Sequence, residues 1–501
     1  MARQKVAIIG GGIAGLAAGC YLRMNGYDTE IFEMHTLPGG LCTAWTRKGY
    51  TFDFCIHWLM GSGPSKNLHA IWKDLGAIEN RKFIEWEVYE RIVLKNGKTL
   101  IVYTDPDKLY EELVKFAPED KAICRSLCKA IKKAACFDFP TPRSGGFFDI
   151  FGAIIRMLFF LPLFMKWGKI TVQRLTDRFH NENLRVAFKL MWDDEFSSDF
   201  PASGMIMMLA FMHAKSAGYP IGGSLEFAKA IERRYTALGG KIRYGFEVDT
   251  ILVENGKATG IAGNGGEVHK TDMVISAADG HSTLFRLLQG NYLTPKISRA
   301  YEKLRVFPSL VYVCLGLSKD MRSHPHMVAF TLNNPIRLEN GALMLDKLNL
   351  RLYHFDTTMA PENCTSAIVM IPTFNTEWWT DLRMQNPTDY IVEKKRIGEQ
   401  IVDALDEFLG DIRPHVDVID VATPATIIRY TNNWKGSFEG FLPTRKSMSR
   451  RVIDRTIPTL KNFYMIGQWT NPGGGLPPCG MDGLSIAKMI CMEDGKKFKI
   501  Q

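Results

Sequence analysis

The sequence lacks the cysteine patterns of metal and redox sites. Its 10 cysteines are scattered, and no two of them stand in a C-x-x-C spacing. Neither a zinc site nor a redox-active disulfide is therefore indicated, and no metal is predicted. Free thiols in this number are typical of a reducing compartment, so we expect a cytoplasmic location.

Long apolar runs without charge are also missing. No stretch of about 20 apolar residues is free of charges, so no membrane span is predicted. The N-terminus does not have the layout of a signal peptide, because its apolar run reads as a first β-strand. No basic run with interleaved aromatic residues points to nucleic acid, and no nucleophile triad stands out.

The charge balance is only weakly basic. Lys and Arg number 62 against 53 Asp and Glu, which gives a net charge of +9. This favours weak attraction to anionic membranes or substrates. The densest basic stretch, residues 445–455, is expected to be a solvated face. With 501 residues, the chain is long enough for two or three structural units around a large core.

The strongest motif lies at the N-terminus. A short β-branched run, residues 5–9, leads into Gly10, Gly12 and Gly15, which match G-x-G-x-x-G at a strand-to-helix turn. These glycines permit a tight turn, close approach of a pyrophosphate and close packing of the helix, whose N-terminus favours negative charge.

The residues around this motif complete a dinucleotide site. Ile13 and Ala14 open the helix and are counted among the binding residues. A second strand, residues 29–32, delivers Glu33, which can accept the ribose hydroxyls. Glu33 argues against a 2′-phosphate, because two anions would repel, and leaves NAD and FAD open.

The segments after Glu33 resemble a known family. Gly39 and Gly40 follow it closely, and residues 52–58 read Phe-Asp-Phe-Cys-Ile-His-Trp. This resembles the phytoene desaturase-like branch of FAD-dependent oxidoreductases, which includes carotenoid desaturases, carotenoid isomerases and retinol saturases. The resemblance implies an α/β fold: a Rossmann-like FAD-binding domain of the two-dinucleotide-binding flavoprotein type, with a discontinuous mixed α+β substrate domain.

Two later segments resemble the same family. In the middle one, the resemblance implies that the backbone of Val248 pairs with adenine; Ala277, at the end of a predicted strand, is counted with it. In the last one, residues 467–483, it implies that a loop lies along the isoalloxazine ring and that the following helix points its N-terminus at the ring. The cofactor residues predicted there are Gly467, Gly474, Gly475 and Leu476. The chain departs from the family pattern at Leu41, Gln468 and residues 481–483.

The resemblance implies hydride transfer between flavin N5 and a long apolar isoprenoid or polyene. The direction stays open among desaturation, saturation and isomerisation, as do the electron partner and the oligomeric state. His57 is the candidate catalytic residue, as a proton donor or substrate orienter; a structural histidine is the alternative. Asp53 is expected to be a hydrogen-bonding partner. Two other functions stay open: an amine- or porphyrinogen-oxidising flavoenzyme, and a non-catalytic FAD protein that carries apolar ligands.

The expected domains are discontinuous. Residues 1–75, 217–292 and 456–495 are assigned to the FAD-binding domain, and residues 76–216 and 293–455 to the substrate domain. Residues 147–167 form an apolar segment that Arg156 and Pro162 interrupt and that Lys166 and Lys169 follow. It is either a buried core segment or a patch that docks peripherally on the inner face of a membrane and admits the substrate.

Overall fold

The computed structural model describes residues 3–141, 147–192, 198–444 and 451–500. Its strands in chain order are β1 (Lys5–Ile9), β2 (Asp28–Glu33), β3 (Ala44–Arg47), β4 (Tyr50–Asp53), β5 (Leu59–Met60), β6 (Phe83–Ile84), β7 (Val88–Val93), β8 (Thr99–Tyr103), β9 (Ala217–Pro220), β10 (Lys241–Tyr244), β11 (Val248–Glu254), β12 (Lys257–Gly263), β13 (Glu267–Lys270), β14 (Met273–Ser276), β15 (Ser309–Leu317), β16 (Met327–Leu338), β17 (Leu343–Leu352), β18 (Thr365–Thr373), β19 (Val416–Ala422) and β20 (Phe463–Met465).

The helices alternate with these strands or cluster between β8 and β9. In chain order they are α1 (Ile13–Met24), α2 (Asn67–Asp74), α3 (Pro106–Phe116), α4 (Lys121–Ala134), α5 (Phe147–Trp167), α6 (Val172–Thr176), α7 (Glu182–Met191), α8 (Ala202–His213), α9 (Gly223–Ala237), α10 (Pro295–Lys303), α11 (Thr376–Gln385), α12 (Pro387–Leu409), α13 (Pro424–Thr431) and α14 (Leu476–Glu493).

The first sheet is parallel and has the spatial order β10-β2-β1-β14-β20. The chain places β2 and β10 on one side of β1, and β14 and β20 on the other. A topological switch point therefore lies between β1 and β14, where ligands of open α/β sheets bind. This sheet confirms the predicted α/β, Rossmann-like fold class.

Burial on both faces explains why residues 6–9 of β1 are all apolar. Val6 and Ile8 pack in one core with α1 and α14, whereas Ala7 and Ile9 pack in a second core with the antiparallel sheet β11-β12-β13. The helices α1 and α14 approach closely at Gly483, where an added Cβ would lie 2.5 Å from Cβ of Ala17.

The second large sheet is mostly antiparallel and has the order β19-β15-β18-β17-β16-β7-β8. The predicted hairpin at Asn96-Gly97 is present as β7 and β8, and β7 joins β16 in parallel. One face packs on α12, which buries residues such as Ile397, Ile401 and Leu405. The opposite face, with Tyr312 and Ile368, packs in the core that the first sheet shares.

Helix α5 has one buried and one exposed face. Phe160, Leu163 and Trp167 are buried, whereas Leu158 and Phe159 are 60% and 61% exposed. Pro162 lies inside the helix; the side chain of Arg156 lies outside the described residues. Across the ranges that the structure describes, we find no helix that combines the length and the apolar character needed to cross a membrane.

The predicted basic face at residues 445–455 is wrong for the part that is described. Arg451 and Arg455 are mostly buried and both donate to the carboxylate of Asp482, which is 2% exposed. A buried carboxylate requires such charged partners, and this pairing draws the two arginines inward. Residues 445–450 lie outside the described residues.

Candidate functional site

One cavity lies at the carboxyl ends of the parallel strands. Four of the segments that form its wall are the turn after β1, the loop after Glu33, the start of β11, and the loop between β20 and α14. All predicted cofactor residues line it except Gly15 and Gly474, and His57 lines it as well. The lining set is Gly10, Gly12, Ile13, Ala14, Glu33, Gly39, Gly40, Val248, Ala277, Gly467, Gly475 and Leu476.

The turn after β1 leaves room beside the start of α1. Gly12 is the N-cap of α1 and no side chain caps it, so the first N–H groups of the helix lack intrahelical partners. A Cβ built on Gly12 would meet only the carbonyl oxygen of Gly39, at 3.8 Å. The helix N-terminus therefore faces open space that suits an anion such as a pyrophosphate.

Gly10 and Gly15 are required for a different reason, since protein atoms crowd both. Gly10 has φ +97°, and a Cβ there would lie 3.2 Å from the Ala277 carbonyl oxygen across the switch point. A Cβ on Gly15 would lie 2.0 Å from the carbonyl oxygen of Gly10. Gly15 thus permits the close packing of α1 on the turn rather than contact with a ligand.

Glu33 ends β2 at the cavity wall and is held rigidly. Its carboxylate accepts hydrogen bonds from the backbone N–H of Gly11 at 2.6 Å and of His35 at 2.8 Å. Burial raises the pKa of Glu33, and the two backbone hydrogen bonds oppose that shift. These bonds leave further acceptor positions on the two oxygens, which suits the carboxylate to binding ribose hydroxyls.

The Gly-Gly segment after Glu33 packs directly against the N-terminal turn. The N–H of Gly39 donates to the carbonyl of Gly11 at 2.9 Å. Gly39 has φ +110°, and a Cβ there would lie 2.2 Å from the carbonyl oxygen of Cys42. Gly40, with φ +59°, approaches Gly12 closely. This segment therefore forms a second glycine-lined wall opposite α1.

The middle segment places Val248 and charged neighbours at one end of the cavity. Glu247 accepts hydrogen bonds from Arg286 at 2.8 Å and from Asn432 at 2.9 Å. The Arg286 contact lowers the pKa of Glu247. Asp279, beyond β14, accepts from the backbone N–H of Ser282 and of Trp434.

The last loop closes the other side of the cavity. Gly467 follows β20 with φ +101°, and its N–H donates to Asp482. Gly475 is the N-cap of α14 with φ +80°. Gly474 does not line the cavity: a Cβ there would lie 2.2 Å from the carbonyl oxygen of Glu439. Its lack of a side chain accommodates the Glu439 backbone.

His57 and Asp53 differ in their surroundings. His57 lines the cavity, and its Nδ1 is buried with no hydrogen-bond partner among the described residues. Burial, followed by the charge of Arg351, holds the pKa of His57 well below its usual range. Asp53 is fully buried; its carboxylate accepts from Tyr219 at 2.8 Å and from the N–H of Ser224. Burial raises the pKa of Asp53 to about 6.

Sequence reasoning did not identify Glu439, which lines the same cavity. It lies in the segment between α13 and β20 that carries no recognisable motif. Burial raises the pKa of Glu439 to about 8. Tertiary contacts bring it to the cavity, among them the contact of its backbone with Gly474 and the hydrogen bond from the N–H of Gly473 to the carbonyl of Phe441. No local sequence pattern predicts such contacts.

The chain is similar to known proteins along its whole length. Residues 8–75 match the family model of the NAD(P)-binding Rossmann-like domain. A 4,4′-diapophytoene desaturase (4,4′-diapolycopene-forming) from Methylomonas sp. is 23% identical, over 100% of this chain and 98% of that protein. The chloroplastic prolycopene isomerase of Daucus carota is 24% identical, over 98% of this chain and 80% of that protein.

This chain resembles carotenoid desaturases and isomerases. The family resemblance predicted from the motifs is thereby confirmed. Among solved structures, an oxidoreductase from Methanosarcina mazei superposes with a TM-score of 0.62 at 18% identity, covering 97% of this chain and 100% of that one. This likeness supports the fold.

Proposed function

We propose that the protein is an FAD-dependent oxidoreductase that exchanges a hydride between a carbon–carbon bond of a long apolar isoprenoid or polyene and flavin N5. The supporting observation is that four distant segments with flavoprotein-like motifs meet at one cavity. The full-length similarity to a desaturase and an isomerase of carotenoids gives the substrate class. The reaction is desaturation, saturation or isomerisation.

FAD fits the residues that line the cavity. The start of α1 would hold the pyrophosphate, Glu33 the ribose and Val248 the adenine, with the glycines of the Gly39-Gly40 and Gly467–Leu476 segments leaving room for the rest. When bound, FAD supplies the hydride chemistry. The chain positions the reacting carbon, excludes water and handles the proton.

His57 is proposed to orient the substrate rather than to donate a proton. Its depressed pKa keeps the imidazole neutral near pH 7, so a protonated form that could donate is scarce. The unpartnered Nδ1 faces buried surroundings. Asp53, bound to Tyr219 and Ser224, is proposed to fix the segment that carries His57.

The cavity wall includes several large apolar side chains. Phe54, Leu310, Met370 and Phe438 contribute to its wall. Such side chains suit contact with a hydrocarbon chain. An amine- or porphyrinogen-oxidising enzyme and a non-catalytic carrier of apolar ligands are the alternatives that experiment must exclude.

We propose that the domain division follows the two large sheets. Residues 1–75, 217–292 and 456–495 would form the FAD-binding domain, and residues 76–216 and 293–455 the substrate domain. The placement of β7 and β8 in one sheet with β15 to β19 supports the discontinuous substrate domain.

We propose that the exposed face of α5 docks on a membrane surface. Leu158 and Phe159 project there, and Nζ of Lys133 lies 4.5 Å from the centroid of the Phe159 ring. Apolar side chains with lysines at the rim suit insertion among acyl chains beneath anionic headgroups. A sparingly soluble polyene would then enter from the bilayer. All 10 cysteines are free, which supports the cytoplasmic side as the location.

The cofactor and ligand can be read directly from the purified protein. We expect flavin absorbance and release of FAD, not NAD, on heating. Organic extraction followed by mass spectrometry should recover an isoprenoid or polyene. Colourless protein that also fails to bind added FAD would contradict the proposal, and a bound polar amine would favour the amine-oxidising alternative.

A further inference from the structure

Four acidic side chains line the cavity: Glu33, Glu247, Asp279 and Glu439. The first three are fixed by hydrogen bonds from backbone N–H groups or from neighbouring side chains. No hydrogen bond or ion pair reaches the Glu439 carboxylate from any residue in the described ranges. Of these four acids, Glu439 is therefore the one whose carboxylate has no hydrogen-bond partner among the described residues.

The position of Glu439 is set by the loop before α14. Gly474 accommodates its carbonyl group. A Cβ built on Gly475 would lie 3.4 Å from Oε1 of Glu439, so the carboxylate stands beside the start of α14. Phe438 precedes it, and Cys479, one turn into α14, lines the same wall. Glu439 thus presents a carboxylate at an otherwise apolar part of the cavity.

We propose that Glu439 is the catalytic acid–base residue that exchanges a proton with a substrate carbon. The inference rests on the proposed function. In desaturation, one C–H bond gives its hydrogen and electron pair as a hydride to oxidised flavin, and the neighbouring carbon loses a proton to the Glu439 carboxylate as the C=C bond forms. In saturation, reduced flavin provides the hydride and the Glu439 carboxylic acid provides the proton.

The electrostatics of the site agree with this role. Burial raises the pKa of Glu439 to about 8, so both forms are accessible near neutral pH, as an acid–base residue requires. Cys479, Cys55 and His57 are titratable groups that also line the cavity. Burial keeps Cys479 a neutral thiol by raising its pKa, and the depressed pKa keeps His57 neutral. Neither Cys479 nor His57 therefore competes with Glu439 as an acid.

The test compares Glu439→Gln with Glu90→Gln. Glutamine keeps the shape of the protonated acid but cannot transfer the proton. Glu90 is a matched control: burial raises its pKa also to about 8, but it lies on β7, bonds to Asn349 and does not line the cavity. We expect Glu439→Gln to lower turnover by roughly 10²- to 10⁴-fold with normal FAD content, and Glu90→Gln to retain turnover.

The direction of the pH dependence is fixed by the sign of the pKa shift. Saturation needs the acid form, so its rate should fall as the pH rises through about 8; desaturation needs the carboxylate, so its rate should rise there. This change of rate with pH should be absent in Glu439→Gln. The carboxylic-acid C=O bands of Glu439 and Glu90 should both titrate near this pH. Infrared difference spectra against the unmodified protein should therefore assign one band by its loss in Glu439→Gln and the other by its loss in Glu90→Gln.

The outcomes separate this inference from the proposed function. If Glu439→Gln turns over a polyene at the unmodified rate with the same pH profile, or if Glu90→Gln loses as much turnover, the inference is overturned while the proposed function stands. If the unmodified protein and both variants neither bind FAD nor act on a polyene, the proposed function itself is overturned. If Glu439→Gln loses its flavin, Glu439→Asp is tested in its place. Glu439→Asp should keep a titrating carboxylic-acid infrared band and the pH dependence of turnover, at a reduced rate. Loss of both the band and the pH dependence would overturn the inference.

Discussion

Replacing Gly12 with alanine should strongly weaken cofactor binding while the fold survives. The backbone of Gly12 has φ −70° and ψ 176°, which any residue adopts. The added methyl group meets only the Gly39 carbonyl oxygen, at an ordinary contact distance of 3.8 Å. Loss of glycine as the N-cap costs at most about 1 kcal/mol. The methyl group therefore occupies space that the protein leaves for the pyrophosphate.

The expected loss of affinity follows from the phosphate contacts at the start of α1. A hydrogen bond to a charged group contributes about 1.5–3 kcal/mol. Displacing the pyrophosphate from two N–H groups would cost about 3–6 kcal/mol, which raises the Kd for FAD by roughly 10²- to 10⁴-fold. Titration of flavin-free protein with FAD, followed by flavin fluorescence, measures this change.

Gly15→Ala is the matched control, since it adds the same methyl group three residues later. There the Cβ would lie 2.0 Å from the Gly10 carbonyl oxygen, so backbone must shift, at a cost of about 1–3 kcal/mol or more. The flavin-free Gly15→Ala variant should unfold at a lower Tm, whereas Gly12→Ala should not. A Gly12→Ala protein with full FAD affinity, or one destabilised as much as Gly15→Ala, would show that the space beside Gly12 is not left for the pyrophosphate.

Three further sets of substitutions test the ribose contact, the membrane contact and the buried ion pairs of Asp482. Glu33→Gln should weaken FAD binding roughly 5- to 150-fold, because it removes the charge from a ribose acceptor worth about 1–3 kcal/mol; unchanged affinity in an equilibrium titration would argue against its role. The double variant Leu158→Glu with Phe159→Glu should reduce binding to anionic liposomes at normal FAD content. Phe160→Glu charges a buried side chain of the same helix and should instead lower the Tm. Full liposome binding by the double variant would place the membrane contact elsewhere. Asp482→Asn should lower the free energy of unfolding by about 3–5 kcal/mol, because it leaves two arginines without their buried anion. An unchanged Tm would show that the contacts of Asp482 with these arginines do not stabilise the fold.

The N-terminal part of the site could be predicted because its chemistry is local. A pyrophosphate site needs Gly10 and Gly12 within one turn, and Glu33 follows at the end of the next strand, so short-range spacing carries the information. The structure places all three at one cavity. The same reasoning predicts β7 and β8, because Asn-Gly turns specify hairpins.

Glu439 and Asp482 could not be predicted because their roles depend on contacts between distant segments. The carboxylate of Asp482 meets Arg451 and Arg455 only after β20 and α14 have packed together. The same limit applies to α5: its apolar sequence is compatible with burial or exposure, and only packing shows that Phe160 lies inside and Phe159 outside.

Anaerobic photoreduction of the flavin, followed by mixing with candidate polyenes, tests the central claim most directly. We expect a carotenoid- or retinoid-like polyene to reoxidise the flavin and to gain two hydrogens. In the reverse experiment, a more saturated isoprenoid should reduce the oxidised flavin and lose two hydrogens. An isomerase would instead change the polyene geometry without net oxidation. If amines or porphyrinogens exchange electrons with the flavin and every polyene leaves it unchanged and is itself recovered unaltered, the account is contradicted.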